Sequence, residues 1–468
     1  MLIAVCLSGC AIVRDAREAQ REYAELSCDD SVPPVSAHPR LSGLTISQFV
    51  EFAMTNRPTM RSAALAVEDA RLALKALRAD APVLSSTPWL APRLSVSGEH
   101  SESSKSASFD DFRFRTDGSA SAALSLSLPL YDFGRNDAQV RAQCESVLAA
   151  ELDMINTGYE IFGEVCDAYF TLFEKAALLE VAHTNEYEYA VHLDQTEKRR
   201  KAGEALELDV TRARLDLAQA KEKTVTAEND VEVACAAFQK AIGVDAAHAV
   251  GREAVASAGN ALAFAIQGLP GTDFTSAQAY AAAQTNAPTM RLARAKLRGA
   301  SSEVDYAIAD LLPELTATAS LNWTDPLWYW RWGVSGAQSL FQGFRKTTAV
   351  ERSVVALRQA AASVEETELD LSYRLETAVT ERDTAKKSME TAQVSFVSAK
   401  ENLKLVRGQY FVGDVGRVEY TDAVADYVEA MGGRVSAFYK GQRAESAIYS
   451  LLGVYPVYEE KKLTEEMK

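Results

Sequence analysis

The stretch INTGYEIFGEVCDAYFTLFEKA, residues 155–176, decides the fold because its apolar residues recur at alternating steps of four and three. The recurring positions, which form a coiled-coil seam, are Ile155, Tyr159, Phe162, Cys166, Tyr169, Phe173 and Ala176. A second stripe on another face of the same helix consists of Ile161, Val165, Ala168 and Leu172. We therefore predict a helix with neighbours on two sides, as in a wall of packed helices.

The helix that contains this seam extends well beyond it. Residues 138–200 hold no proline and only two glycines, so helix breakers are nearly absent. A single helix of that length would be about 95 Å long at 1.5 Å per residue. We expect the chain to reverse at Gly203 into a second helix from Leu206 to Ile242. This long helical hairpin is the element around which the chain is organised.

The chain contains two related halves. TNRPTMR at residues 55–61 returns as TNAPTMR at residues 285–291, with six of seven positions identical. Near the ends of the halves, AIGV at 241–244 corresponds to LLGV at 451–454. The sequence is therefore a tandem duplication.

The duplication defines the domain organisation. Repeat 1 is assigned to residues 44–244 and repeat 2 to residues 275–454, with an Ala-rich and Gly-rich linker at 245–274. Gly203 in repeat 1 corresponds to Gly413 in repeat 2, which predicts a second helix reversal there. Residues 455–468 form a charged tail.

In each half, a stretch between the first helices and the long hairpin changes to the period of a strand. We predict one β-hairpin at about 92–128 and another at about 314–341. Apolar or small residues alternate with Ser, Thr and Asn along both, so each hairpin has a single apolar face. The apolar face of the second includes Trp323, Trp328, Trp330 and Trp332.

Two interpretations of these strands compete. A half-buried hairpin on a soluble core would alternate in the same way. The small polar residues of one face and the tryptophans near one turn favour a membrane β-barrel with an aromatic girdle. Runs of about ten residues are also long enough for a tilted membrane strand.

The number of strands predicts an oligomer. Four strands cannot close a barrel in lipid, because an open edge would leave backbone groups without hydrogen-bond partners. Two copies would supply eight strands and too narrow a lumen for a large solute, whereas three would supply twelve. We therefore expect a homotrimer with a 12-stranded barrel.

The N-terminus resembles an export signal. Residues 1–9 are apolar and end in Leu-Ser-Gly, which together with Cys10 is similar to a bacterial lipobox. A chance cysteine after an apolar run is the alternative. We favour a truncated signal peptide and lipidation of Cys10, because the run is too short to span a bilayer. Residues 10–43, with Pro33, Pro34 and Pro39, are then expected to form an extended tether from the lipid anchor.

Composition narrows the classes of function. The 468 residues have a net charge of −16, which argues against nucleic acid as a partner because such binding relies on clustered Lys and Arg. No HExxH, GxSxG or phosphate-binding glycine loop is present, so an enzyme is not expected. No cofactor is expected apart from the covalent lipid. His183 and His192, at the polar end of the long helix, are expected to be solvated.

The ordered, duplicated features resemble the TolC/OprM family of outer-membrane efflux proteins. They are the Asn-x-Pro helix starts at Asn56 and Asn286, the junction LPLYDFG at 128–134, the reversals at Gly203 and Gly413, and the Leu-Gly or Ile-Gly closings at Gly243 and Gly453. The resemblance implies a trimeric tube, an outer-membrane β-barrel continued by a long α-helical coiled-coil barrel. It also implies docking to a periplasmic adaptor and an inner-membrane transporter.

The resemblance further implies a gate at the periplasmic end of the tube. Two acidic residues whose trimer rings narrow the family's tube correspond to Glu419 and Asp422, a gate tyrosine to Tyr410 and an acidic partner to Asp209. The offset of 210 residues aligns Asp209 with Glu419, which supports their equivalence. The alternative is that Glu419 and Asp422 are solvated helix charges.

One position departs from the family pattern. The arginine that often pairs with the gate carboxylates is Val415 in this chain, with Arg417 nearby as a substitute.

The function expected from the resemblance is a passive exit duct for drugs, metals or other small solutes. The exit channel of a type I protein secretion system has the same helical pattern. A periplasmic structural lipoprotein that tethers partners through its coiled coils is the alternative from a different class.

Overall fold

A computed structural model describes residues 46–80, 93–105, 115–244, 274–324, 327–339, 341–412 and 414–454, and the single positions 16, 17, 20, 82 and 271. The chain divides into two units, Met1–Ser42 and Gly43–Lys468. In the first unit Ala16, Arg17 and Gln20 are helical, whereas the sequence predicts an extended tether. The surrounding segment DAREAQREYAEL, residues 15–26, consists mainly of strong helix formers, which explains the difference.

The second unit holds two copies of one order of elements. The first copy consists of α1 (Ile46–Asn56), α2 (Pro58–Ala79), β1 (Arg93–Lys105), β2 (Arg115–Tyr131), α3 (Arg135–Lys201) and α4 (Glu207–Ile242). The second copy consists of α5 (Ser276–Asn286), α6 (Pro288–Ala309), β3 (Glu314–Thr324), β4 (Leu327–Ala337), α7 (Arg345–Val412) and α8 (Arg417–Leu452). The predicted fold class, a duplicated chain with four strands and long coiled-coil helices, is confirmed. None of the helices in the described part of the chain is long and apolar enough to span a membrane.

The four strands form one antiparallel sheet in the order β1-β2-β3-β4. The pairing of β2 with β3 joins the hairpin of the first copy to the hairpin of the second. In one row across the sheet, Val96 lies opposite Leu124, Leu124 opposite Leu321, and Leu321 opposite Trp330. Because side chains alternate along a strand, neighbouring rows point to the opposite face. The adjacent row is Ser95, Ser125, Ser320 and Arg331.

The register therefore combines the apolar residues of both hairpins on one face of the sheet. A second apolar row consists of Leu94, Leu126, Ala319 and Trp332. The large side chains of this face are exposed in the single chain, up to 76% for Val96 and 72% for Trp330.

A tight junction connects each hairpin to its long helix. Phe133 and Gly134 have positive φ in the first copy, as do Gly343 and Phe344 in the second. The Asp132 carboxylate accepts hydrogen bonds from the backbone N–H groups of Gly134 (3.2 Å) and Asn136 (2.7 Å). It thereby satisfies two N–H groups that have no partner within the helix at the start of α3.

The helix α3 is buried on two sides, as its two stripes predict. Phe162, Cys166, Tyr169, Phe173 and Ala176 of the seam are buried. So are Ile161, Val165 and Leu172 of the second stripe. Ile155 differs, since it is 41% exposed in the single chain.

Contacts between the copies hold α8 against α3. The Tyr159 hydroxyl donates to the Gly453 carbonyl oxygen at 2.5 Å, and the Ser450 hydroxyl donates to the Tyr159 carbonyl oxygen at 3.0 Å. Further along, Arg443 Nη1 lies 2.5 Å from Glu174 Oε2. The two halves are therefore one packed body and not two independent domains.

The last helix of each copy ends in a glycine that packs on the start of the Asn-x-Pro helix. Gly243 and Gly453 have φ of 76° and 65°. A Cβ added to Gly453 would lie 2.7 Å from Pro288 Cδ and 3.3 Å from the Asn286 carbonyl oxygen. Only glycine fits both the backbone conformation and the space here.

Gly453→Ala should destabilise the protein more than Gly134→Ala. Both glycines have positive φ, which costs an alanine about 1–2 kcal/mol, but a Cβ at Gly134 meets no atom within 4 Å. Overlap with Pro288 should add roughly 1–3 kcal/mol for Gly453→Ala alone. Thermal unfolding followed by circular dichroism in detergent measures the difference, and equal losses would contradict the packing described.

Candidate functional site

The candidate site lies at the end of the helical part, where both long hairpins reverse. At the first reversal Gly203 has φ of 81°, and the N–H of Glu204 donates to the Arg199 carbonyl oxygen at 2.9 Å. This is the usual glycine ending of a helix. The second predicted reversal, Gly413, lies outside the described residues, between the end of α7 and the start of α8.

Asp209 and Glu419 occupy equivalent positions. Each is the third residue of its helix, α4 or α8. Asp209 Oδ2 accepts a hydrogen bond from the Leu206 N–H at 3.2 Å. Glu419 is exposed, and its carboxylate folds back over Gly416, where an added Cβ would lie 2.8 Å from Oε2. Both carboxylates are therefore close to the positive end of a helix dipole.

Asp422 is exposed one turn further along α8. Its negative charge contributes to the raised pKa of the Tyr189 hydroxyl on α3, after burial and the charge of Asp216. Asp422 thus lies near the contact of α8 with the first copy.

Tyr410 is placed differently from the two exposed carboxylates. It is 4% exposed and its ring stacks on that of Tyr420, with 4.6 Å between centroids and 17° between planes. Arg199 Nη2 donates to the Tyr410 carbonyl oxygen at 2.6 Å, and the Arg199 guanidinium carbon lies 4.9 Å from the Tyr410 ring centroid. Tyr410 therefore joins α3, α7 and α8 inside one protomer.

An ionic network centred on the buried Glu188 supports this aromatic stack. Glu188 on α3 accepts a hydrogen bond from Arg407 Nη1 on α7 at 3.0 Å. The Tyr420 hydroxyl on α8 donates to the other oxygen of Glu188 at 3.2 Å. Burial and the adjacent Glu188 charge raise the pKa of the Tyr420 hydroxyl, so it stays a hydrogen-bond donor.

Arg417, the predicted substitute for the family arginine, does not pair with Glu419 or Asp422 but with another carboxylate. Its Nη1 lies 3.3 Å from Asp216 Oδ2 on α4, and both side chains are three-quarters buried. Asp216 follows Asp209 by two turns of the same helix. Arg417 therefore connects α8 to α4 at the same level as the aromatic stack.

His192 corrects a prediction, since the sequence predicts it to be solvated but it is 1% exposed. Its ring centroid lies 5.5 Å from that of Tyr410 and 5.4 Å from that of Tyr420. Neither imidazole nitrogen has a hydrogen-bond partner within the described structure. The polar surroundings in sequence are misleading because the buried face of α3 continues into its charged end.

Four polar residues on that face were missed by reasoning from residue type. Asn185, Glu188, His192 and Thr196 are all buried. They follow the buried Val181 at steps of four, three, four and four residues. The period of the helix was the available signal, since it marks the interior even where the residues are polar.

The other predicted site residues have mixed positions. Trp328, Trp330 and Trp332 are exposed on the apolar face of the sheet, and Trp323 is half-buried with its ring centroid 6.2 Å from that of Trp328. Cys10 lies outside the described residues. Within the described part of the chain, no group of three or more His, Cys, Asp and Glu residues is arranged to hold a metal ion.

Comparison with known proteins gives one family. The family model of the outer membrane efflux protein matches residues 50–244 and 279–454. Among curated protein sequences, none matches the chain.

Solved structures share the fold at low sequence identity. The CmeC outer membrane channel of Campylobacter jejuni is 16% identical with a TM-score of 0.75, covering 90% of this chain and 89% of that chain. VceC, an outer membrane protein of Vibrio cholerae, is 16% identical with a TM-score of 0.73, covering 87% and 96%. CusC, which forms a transmembrane channel, is 18% identical with a TM-score of 0.74, covering 91% and 99%.

The helix tip is the end of α7 (residues 403–412) and the start of α8 (residues 417–428), where both pack on α3. Arg407→Leu should loosen it, because the change leaves the buried Glu188 carboxylate with one fewer donor. We expect a loss of roughly 1–3 kcal/mol in local stability. Arg374→Leu is the matched control on the same helix, since its ion pair with Asp370 is exposed and is expected to contribute less than about 0.5 kcal/mol. Hydrogen exchange of residues 403–412 and 417–428 measures the effect, and equal protection in both variants would show that the network does not stabilise the tip.

Proposed function

Because the chain belongs to the outer membrane efflux protein family, we propose that three copies form an exit duct across the bacterial outer membrane. The duct passively conducts small solutes, such as drugs or metals, that a periplasmic adaptor and an inner-membrane transporter deliver. Members of this family are channels and not enzymes, so no catalytic reaction is assigned to the chain.

The proposal is carried by two properties of the sheet, its exposed apolar face and its unpaired edge strands. Its apolar side chains form one exposed face, and β1 and β4 are its two edges. An apolar face suits contact with lipid, but unpaired edges do not, because their backbone groups would lack partners. Pairing β4 of one copy with β1 of the next, three times, removes every edge and gives twelve strands. A periplasmic tether has no use for such a face.

The helices support the same assembly. Large apolar side chains are exposed along α4 and α7 in the single chain. They include Leu215, Val225, Val233, Leu369, Tyr373 and Val394, all more than half exposed. An isolated protein rarely exposes so much apolar surface on long helices. Neighbouring copies in a helical barrel would cover it.

The gate is the finer part of the proposal. In a trimer, Glu419 and Asp422 supply two rings of three carboxylates at the periplasmic end. Their exposure in one chain leaves them free to point into the lumen. The rings narrow the pore and favour cations, because like charges crowd around the axis. The network of Glu188, Arg407 and Tyr420 holds α7 and α8 against α3 and keeps the rings in place.

Two further features fit the outer membrane. Trp328, Trp330 and Trp332 are exposed near the turn of the second hairpin, where an aromatic girdle meets the interface of the bilayer. Lipidation of Cys10 would anchor the N-terminal segment to the same membrane.

Removal of the carboxylate rings tests the duct and the gate together. The variant Glu419→Ala/Asp422→Ala should raise single-channel conductance sharply in planar bilayers, because six shorter side chains widen the constriction. The matched control is Asp426→Ala/Glu429→Ala, which removes exposed carboxylates seven residues further along the same helix. Absence of conductance in every variant, from a monomeric protein, would refute the duct. An equal rise in both double variants would refute a gate at Glu419 and Asp422.

Lipidation has a separate test. Cells grown with labelled palmitate should incorporate the label into the wild-type protein and not into Cys10→Ser. Cys28→Ser, a cysteine in the same N-terminal segment, should keep the label. Equal labelling of the Cys10→Ser variant would place the lipid elsewhere, and absence of label in the wild type would exclude lipidation.

A further inference from the structure

His192, the buried histidine of the helix tip, belongs neither to the sheet nor to the carboxylate rings of the proposed duct. His192 belongs to the first copy, and the rings that enclose it, Tyr410 and Tyr420, belong to the second. It therefore lies at the contact that must part if α7 and α8 swing away from α3. Its two nitrogens lack hydrogen-bond partners within the described structure, so an added proton would gain no hydrogen bond in the packed state.

The charges around His192 are already engaged with one another. On α3 itself Glu188 is paired with Arg407 of α7 and with Tyr420 of α8. On α4 Asp216 is paired with Arg417 of α8. The remaining charge that acts on His192, Arg199 of α3, is positive. A proton on the imidazole would therefore be buried near Arg417 and Arg199, and Asp216, the carboxylate that favours it, is already paired with Arg417.

We infer that His192 makes the helix tip acid-sensitive: protonation of its imidazole drives α7 and α8 away from α3 and opens the periplasmic end. Only the opening of a duct rests on the proposed function, since the separation of α7 and α8 from α3 is a property of the single protomer. Protonation of the Glu419 and Asp422 rings would relieve repulsion and act in the opposite direction. The sign of the response therefore distinguishes His192 from those rings, and the variant without the imidazole distinguishes it from the Glu188 and Asp216 ion pairs.

The direction of the pH response follows from the change in the surroundings of His192 when the helices separate. In the packed state burial lowers the pKa of His192 from 6.5 to about 4. The charge of Asp216 opposes this shift, and the charges of Arg417 and Arg199 add to it. Once the helices separate, water restores the ordinary pKa. The packed state is thus fully favoured above pH 6.5 and loses stability as the pH falls toward 4. From pH 7.5 to 4.5 the ratio of separated to packed tips should rise about 70-fold per protomer.

The experiment compares the wild type with His192→Phe, which keeps an aromatic ring of similar size but cannot be protonated. The control is His183→Phe, an exposed histidine nine residues earlier on the same helix. Single-channel conductance of the purified trimer between pH 7.5 and 4.5 is one readout. We expect the open fraction of wild type and His183→Phe to rise on acidification, and that of His192→Phe to stay constant or fall.

Hydrogen exchange of residues 403–412 and 417–428, corrected for the pH dependence of the intrinsic rate, is the second readout and needs no conduction. Acid should remove protection in the wild type and not in His192→Phe. His192→Leu serves as a second variant if the phenylalanine prevents folding. The same loss of protection in wild type and both variants would overturn the inference. A loss that depends on His192 in a protein that never conducts would support the inference and refute the duct.

Discussion

The packing of α3 against α8 is the interaction on which the rest of the structure depends. These helices, of 67 and 36 residues, gain little from their own backbone hydrogen bonds beyond the cost of ordering the chain, so they persist because their faces are buried. The contact joins the two copies through Tyr159, Ser450 and Gly453. It also fixes the distance between the hairpins at their tips, where the polar cluster forms.

The same duplication builds the four-stranded sheet. Each copy supplies a hairpin with one apolar face, and the pairing of β2 with β3 aligns the two faces in common rows. A shift of one residue in that pairing would turn the apolar set of one hairpin to the opposite side. The two successive left-handed residues before α3 and before α7 then turn the chain from strand into helix in both copies.

The tip differs from the remainder of the seam in chemistry and not in geometry. Apolar side chains fill the middle of α3, whereas Glu188 and His192 fill its end. Buried polar groups contribute less to stability than well-packed apolar ones, and one that lacks a partner is costly. A contact of this kind holds the helices together yet can be weakened by a change of charge, as the proposed gate would require.

The sequence by itself determined the duplication, the two long hairpins, the four strands and their single apolar face, because each depends on a period that residues show along the chain. The equivalence of Asp209 and Glu419 also followed from the repeat offset. Only the tertiary structure decided that Arg417 pairs with Asp216 and that His192 is buried between two tyrosines. Those contacts join residues about 200 positions apart, and no local pattern specifies which side chains meet when two helices from different copies pack.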